Sequence, residues 1–260
     1  MTAEALMDII RSVVLTGVLF GAVRLIALKS NTLCVVFYAL AVACILFSDI
    51  YWIVYDILRP ETRMPFAANE IAEWAMFLLL GESLKSFSSE YVYVRRFDIL
   101  FTIAFVIANI ALWIGWSGEW AQDILTGASL AYFLCVLVVQ IRQNKAFTAL
   151  QWRIMLVACI VLIAGQTCTF LTDGDVKNAF DLSCYVLLFM IATALIGKTI
   201  ASLIKGKETR QTVCYAFASF AWAVITLYMS GGGFYVAAMA FTAICFPLML
   251  LSLKKEVTAR

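Results

Sequence analysis

Nine stretches of this chain are apolar almost without interruption, each is long enough to cross a bilayer as a helix, and only short connections separate them. They run approximately over residues 9–28, 33–57, 66–84, 98–116, 121–141, 150–171, 179–203, 211–229 and 233–253. A hydrocarbon core about 30 Å thick takes roughly 20 residues of helix. Lipid offers no partner to a backbone N–H or C=O, so runs of this kind must satisfy themselves as helices. An outer-membrane barrel would instead alternate apolar and polar residues. The expected fold class is all-α: a polytopic helical membrane protein of about nine transmembrane helices. The first run is the weakest, because Arg11 and Arg24 lie in or beside it, and it also reads as a short or interfacial helix. Composition points the same way: 64% of the 260 residues are hydrophobic and 14% are charged, against about 25% charged in a soluble domain. A soluble enzyme, a disordered tail and a disulfide-stapled secreted module are excluded.

The chain contains no histidine. That removes His-ligated haem, the usual His-containing zinc and iron sites, Ser-His-Asp hydrolysis and imidazole proton relays. The eight cysteines form no CxxC pair and sit within apolar runs, where Cys behaves as a small buried hydrophobe. No cofactor or metal is expected. A net charge of +2 is too mild to imply nucleic acid as a partner. Glu4 and Asp8 make the start acidic and Arg24 interrupts the first run, so a cleaved signal peptide is not expected.

Basic residues supply an independent check on the spans, since cytoplasmic loops collect Lys and Arg. With the N-terminus outside, 15 of the 19 basic residues fall on the inner side and only Arg11, Arg59, Arg63 and Lys177 on the outer. The connections Trp116-Ser-Gly-Glu-Trp120 and Ser230-Gly-Gly-Gly233 carry no basic residue. The expectation is a bacterial plasma-membrane (inner-membrane) protein with its N-terminus outside and its C-terminus in the cytoplasm.

Internal similarity at a near-constant offset points to duplication. Val42-Ala-Cys-Ile45 recurs as Val157-Ala-Cys-Ile160; Leu84-Lys-Ser86 is echoed by Gly197-Lys-Thr199, Trp116-Ser-Gly118 by Met229-Ser-Gly231, and Gln140-Ile-Arg142 by Leu253-Lys-Lys255. Read this way, residues 1–31 form a first transmembrane helix, 32–145 a four-helix half and 146–260 a second. Four spans per half make the repeat parallel, a 1+4+4 arrangement.

Ionisable groups inside spans are costly and mark candidate sites. Span 2 carries Asp49 and Asp56, seven residues apart on one helix face, with Trp52 between them and Ser48, Tyr51 and Tyr55 alongside. Span 3 opens with Asn69, Glu70, Glu73 and Trp74, its two carboxylates one turn apart. In the second half, Gln166, Thr167, Thr169, Asp181 and Ser183 fall at a similar depth. The candidate ligand-binding residues are Asp49, Trp52, Glu70, Glu73, Trp74 and Asp181. They imply a cavity opening to the extracytoplasmic side, able to hold a cation by cation–π and carboxylate contacts. A plainer reading stands beside this one. Carboxylates at a helix start complement its dipole, and Asp56 and Asp181 lie near enough to the interface to be solvated, where Trp and Tyr also gather. Asp49, about sixteen residues into its span, has no such escape, and Arg11 or Arg24 is its expected counter-ion. Lys198 reads as a snorkelling interfacial lysine, Glu82 and Lys85 as an interfacial pair, and the loop 59–65 between Pro60 and Pro65 as a stiff lid.

The segment Leu46-Phe-Ser-Asp-Ile-Tyr-Trp52, with Pro60-Glu-Thr-Arg-Met-Pro-Phe-Ala-Ala-Asn-Glu-Ile-Ala-Glu-Trp74, resembles the multi-helix membrane sensory regions of Firmicute signalling proteins. There a bundle precedes a kinase or cyclase domain. Here seven residues follow the last span, so the resemblance implies a signal passed to a separate cytoplasmic or membrane partner protein. Phe47-Ser48-Asp49 is similar to the FSD signature of a small potassium-channel family, without the upstream arginine that family carries. An eight-helix core with acidic groups is also similar to lysoplasmalogenase-like membrane hydrolases, which would give Asp49 and Glu73 acid/base roles. The reading that follows is recognition of a small or lipid-like ligand from the extracytoplasmic side, as a sensor or as a membrane subunit of a larger assembly. A secondary transporter of a small cationic solute and a carboxylate-dependent lipid hydrolase are the alternatives. Membrane lipids, a small-molecule ligand and a partner protein are the expected partners.

Overall fold

The apolar runs are helices in the structure, a computed structural model that describes residues 3–29, 33–58, 68–87, 95–206 and 209–259. Within these residues lie α1 (Ala3–Leu28), α2 (Leu33–Leu58), α3 (Ala68–Phe87), α4 (Arg96–Ser117), α5 (Trp120–Gln143), α6 (Ala149–Leu171), α7 (Gly174–Lys205), α8 (Thr209–Met229) and α9 (Gly232–Ala259). Eight are long and apolar enough to cross a bilayer, α1 among them. The chain is thus an all-helical, multi-pass membrane protein. The helix that falls short is α3, which carries Glu70, Glu73, Glu82 and Lys85 in its 20 residues. The loop 59–65 and the side chain of Asp56 lie outside the described residues.

Several helices overrun their apolar runs. α1 begins at Ala3, α7 at Gly174, and α9 continues to Ala259. A nucleated helix extends at little cost, and polar side chains at its ends reach water without breaking it. With 32 residues, α7 is roughly 48 Å long, well beyond the hydrocarbon core. Local chemistry sets the stops. α4 and α7 end on Gly118 (φ 73°) and Gly206 (φ 71°), in the left-handed conformation that favours glycine. α6 starts with a capping box in which Thr148 and Gln151 satisfy each other's backbone amides.

Packing arranges the helices as a closed ring with one helix inside. Around the ring, α1 packs on α2, then α3, α5, α4, α6, α7 and α9, which returns to α1. α8 packs on α5, α7 and α9 from within, and every residue from Thr212 to Thr226 is buried. α8 is also the least apolar of the eight candidate spans. A helix shielded from lipid has no need of an apolar exterior; its small residues Ala216, Ala218, Ser219, Ala221 and Ala223 let neighbours approach closely. The ring helices show the converse. Phe20, Ile57, Leu171 and Ile204 are each more than 70% exposed, an outward apolar surface that only lipid would cover.

Polar groups inside the bundle tie neighbouring helices together. Tyr38 Oη donates to the Phe246 carbonyl (2.6 Å) beside Pro247, Ser83 Oγ to the Cys34 carbonyl (2.8 Å), and Trp222 Nε1 to the Leu188 carbonyl (3.0 Å). If the expected division into 32–145 and 146–260 is laid on the helices, some pairings correspond: α2–α3, α3–α5 and α4–α5 with α6–α7, α7–α9 and α8–α9. α7 packs on α8, but among the described residues α3 does not pack on α4. The counterpart positions therefore differ: α4 stands in the ring and α8 at its centre.

Candidate functional site

At the end of the bundle where α1 begins, termed the amino end, a cavity of about 740 Å³ opens inside the ring. Alternating chain direction brings to it the starts of α1, α3, α5 and α9 and the last turns of α2, α4 and α8. Among its described lining residues five are carboxylates (Glu4, Asp8, Glu70, Glu73, Asp123), and one, Arg11, is basic.

That arginine is already committed. Its Nε donates to Asp49 Oδ2 at 2.8 Å and its Nη2 to Asp49 Oδ1, with Asp8 Oδ1 3.5 Å from Nη2. Asp49 has no exposed surface and Arg11 only 8%, so this bidentate pair forms the buried root of the wall. Of the two expected counter-ions, Arg11 is the one used; Arg24 is exposed further along α1. Among the described lining residues carboxylates thus outnumber the one guanidinium, which Asp49 and Asp8 already hold.

Glu73 accepts hydrogen bonds from Ser48 Oγ (3.2 Å) and Tyr228 Oη (3.4 Å), which fixes it between α2 and α8. Asn69 Oδ1 and Gln122 Oε1 are buried lining acceptors with no partner among the described residues. A buried acceptor left unmet carries its full desolvation penalty, so both favour a donor arriving in the cavity. Asp123 Oδ2 takes a hydrogen bond from Ser117 Oγ (2.6 Å), and Ser117 Oγ accepts from the Glu119 amide (2.9 Å), closing the α4–α5 hairpin over the rim.

Aromatic rings make up much of the remaining wall. Tyr51 and Tyr55 stack at 6.0 Å, with Trp52 edge-on to both. Opposite them Trp113 lies 5.6 Å from Tyr228. The floor is a phenylalanine cluster: Phe77, Phe220 and Phe246 line it, and fully buried Phe133 packs behind Phe77 and Phe220 at 6.3 and 6.2 Å. No basic or carboxylate group interrupts that layer.

Of the residues singled out from sequence, Trp52, Glu70 and Glu73 line the cavity, and Asp49 stands behind it through Arg11. Trp74 is set back from the lining and donates Nε1 to Thr126 Oγ1 (2.8 Å), tying α3 to α5. Asp181 lies half-buried near the start of α7, and no residue of α7 lines this cavity. The contributions of α1 (Glu4, Asp8), of the α4–α5 hairpin (Trp113, Gln122, Asp123) and of α8–α9 (Tyr228, Tyr235) were not singled out from sequence. The hairpins that lack basic residues were the available signal, since they hold Trp116, Ser117, Gly118, Glu119 and Ser230 at this same end. No protein family, curated protein or solved structure matches this chain.

Proposed function

We propose that the amino-end cavity recognises a small organic cation, an ammonium group carried on an apolar body, from the extracytoplasmic side of the plasma membrane. The observation that carries this reading is the excess of acidic over basic groups among the described lining residues, five carboxylates to one arginine, beside the unmet acceptors of Asn69 and Gln122. A cation would meet Glu70 and Glu73, donate to Asn69 and Gln122, and lay its apolar part on Trp52, Tyr51 and Trp113, where aromatic faces attract positive charge. An anion would meet net repulsion, and a neutral apolar ligand would leave the buried acceptors unmet.

The phenylalanine floor supports capture over passage, which fits a sensor or a membrane subunit that reports occupancy to a partner protein. The same reading takes all nine helices as crossing the bilayer, the N-terminus as extracytoplasmic and the halves as a parallel duplication. The distribution of basic residues and the three shared helix pairings support it.

The test is titration of the purified chain with 2-phenylethylammonium, whose N–H groups can donate, and with its uncharged carbon isostere propylbenzene, followed by calorimetry and tryptophan fluorescence. The cation should bind saturably and at least tenfold more tightly than the isostere. Glu73→Gln should weaken it by about tenfold, the scale of one charged contact. Equal affinity for the two probes, or indifference to the Glu73 change, sinks the reading. Added to sealed vesicles of both orientations, the cation should alter fluorescence at once only where the amino end faces out.

A further inference from the structure

A second cavity of about 370 Å³ enters the ring from the opposite, carboxyl end, between the start of α4, the end of α5 and the start of α6, and reaches the central helix at Ala221, Trp222 and Ile225. Its depth is apolar, walled by Phe101, Phe105, Leu134, Leu137, Met155 and Leu156. The hydroxyl of Thr102 is spent on the Asp98 carbonyl at 2.8 Å.

Its mouth is basic. Asp98 is the only carboxylate among the described lining residues, and Arg142 holds it in a two-point contact at 2.8 and 2.9 Å. The Arg142 guanidinium also lies 4.1 Å from the centre of the Trp152 ring. That leaves Arg95 and Arg153, both exposed at the rim and neither in an ion pair among the described residues. Two unmatched guanidinium groups thus stand over a slot without polar side chains to spare.

We propose that this slot is a binding site for an anionic phospholipid of the adjoining leaflet, with its phosphate at Arg95 and Arg153 and an acyl chain along the α4–α6 wall toward Trp222. Charge complementarity selects the headgroup: guanidinium groups bind phosphate in two-point contacts, and basic pockets between membrane helices hold anionic headgroups. The apolar depth selects the chain. A soluble anion would occupy the rim alone and leave the slot empty. The site is separate from the amino-end cavity and holds whether or not that cavity takes a cation.

Trp152 and Trp222 line the slot and supply the readout. The full chain is reconstituted in bilayers that contain either phosphatidylglycerol or phosphatidylcholine with brominated acyl chains, and tryptophan quenching is measured. Brominated phosphatidylglycerol should be preferred by roughly ten- to thirtyfold, about one decade or less per rim arginine. Trp152→Phe/Trp222→Phe should remove most of the difference between the two lipids. The variant Arg95→Gln/Arg153→Gln should abolish the preference while its gel-filtration profile stays unchanged. Should that pair misfold, Leu137→Phe, which narrows the slot from an apolar wall without adding a tryptophan, must also weaken it. Equal quenching by the two lipids, a preference that survives these changes, or a brominated free fatty acid that quenches as strongly as the phospholipid overturns the assignment.

Discussion

Arg11 and Asp49 show how one pair of charges can be both costly and necessary. Each alone would be a bare charge in an apolar interior, and together they make a two-point contact with almost no exposed surface. Removing one partner of such a pair costs about 3–5 kcal/mol, whereas replacing both by apolar residues of similar volume is near neutral. Arg11→Ala should therefore lower the unfolding free energy in detergent by about that amount. Arg11→Met/Asp49→Leu should regain most of it, and a double variant no more stable than the single would disprove the coupling. Asp49 was legible in the sequence because a carboxylate so deep in an apolar run has nowhere to hide. Its partner was legible only in part. Arg11 and Arg24 lie roughly 20 Å apart along one helix, and only the pairing depth of α1 against α2 decides between them. Arg11 is eight residues after the start of α1 and Asp49 nine before the end of α2, so antiparallel packing puts them level.

Among the elements, close approach rather than apolarity distinguishes one contact from another. A Cβ at Gly81 on α3 would lie 2.6 Å from the Tyr132 ring of α5, and one at Gly127 on α5 would lie 2.3 Å from Ile110 of α4. Gly197 on α7 faces open space. Gly127→Leu should destabilise by about 1–3 kcal/mol through overpacking, and Gly197→Ala should stabilise by up to about 1 kcal/mol through helix propensity. Thermal unfolding of both variants beside the parent decides this, and a similar loss in each would contradict it. The helices themselves were easy to read, because an apolar run of this length has a single solution in lipid. Their neighbours were not. Spacing cannot say that α3 seats on α5 and passes α4 by, since both α4 and α5 offer it long apolar faces. Lys198 marks the same limit. The sequence showed a basic residue near a span end; only packing shows its ammonium 4.1 Å from the centre of the Tyr215 ring.

Over the whole molecule, charge and shape run in parallel. Carboxylates and aromatic rings surround the cavity at the amino end, and arginines surround the slot at the carboxyl end. If basic residues set orientation, a reporter that folds only in the cytoplasm should fluoresce when fused after residue 145 or at the C-terminus, and stay dark when fused at residue 118. The reverse pattern would invert the molecule and move the cation site to the cytoplasmic face. The sequence could reveal a candidate site at one end because polar residues are rare in these spans. It could not show that residues from seven helices meet there, because closure of a ring is a property of no single segment.

The central position of α8 has a consequence in time. Membrane helices leave the ribosome in chain order, and α8 is next to last in that order. Seven of the eight helices around it are therefore made before it exists, and for that interval the faces that will close on Thr212 to Thr226 are turned to one another or to lipid. A chain stopped before Thr209 would be a hollow assembly that cannot close, and it should be cleared by membrane quality control soon after synthesis, while chains that include α8 persist.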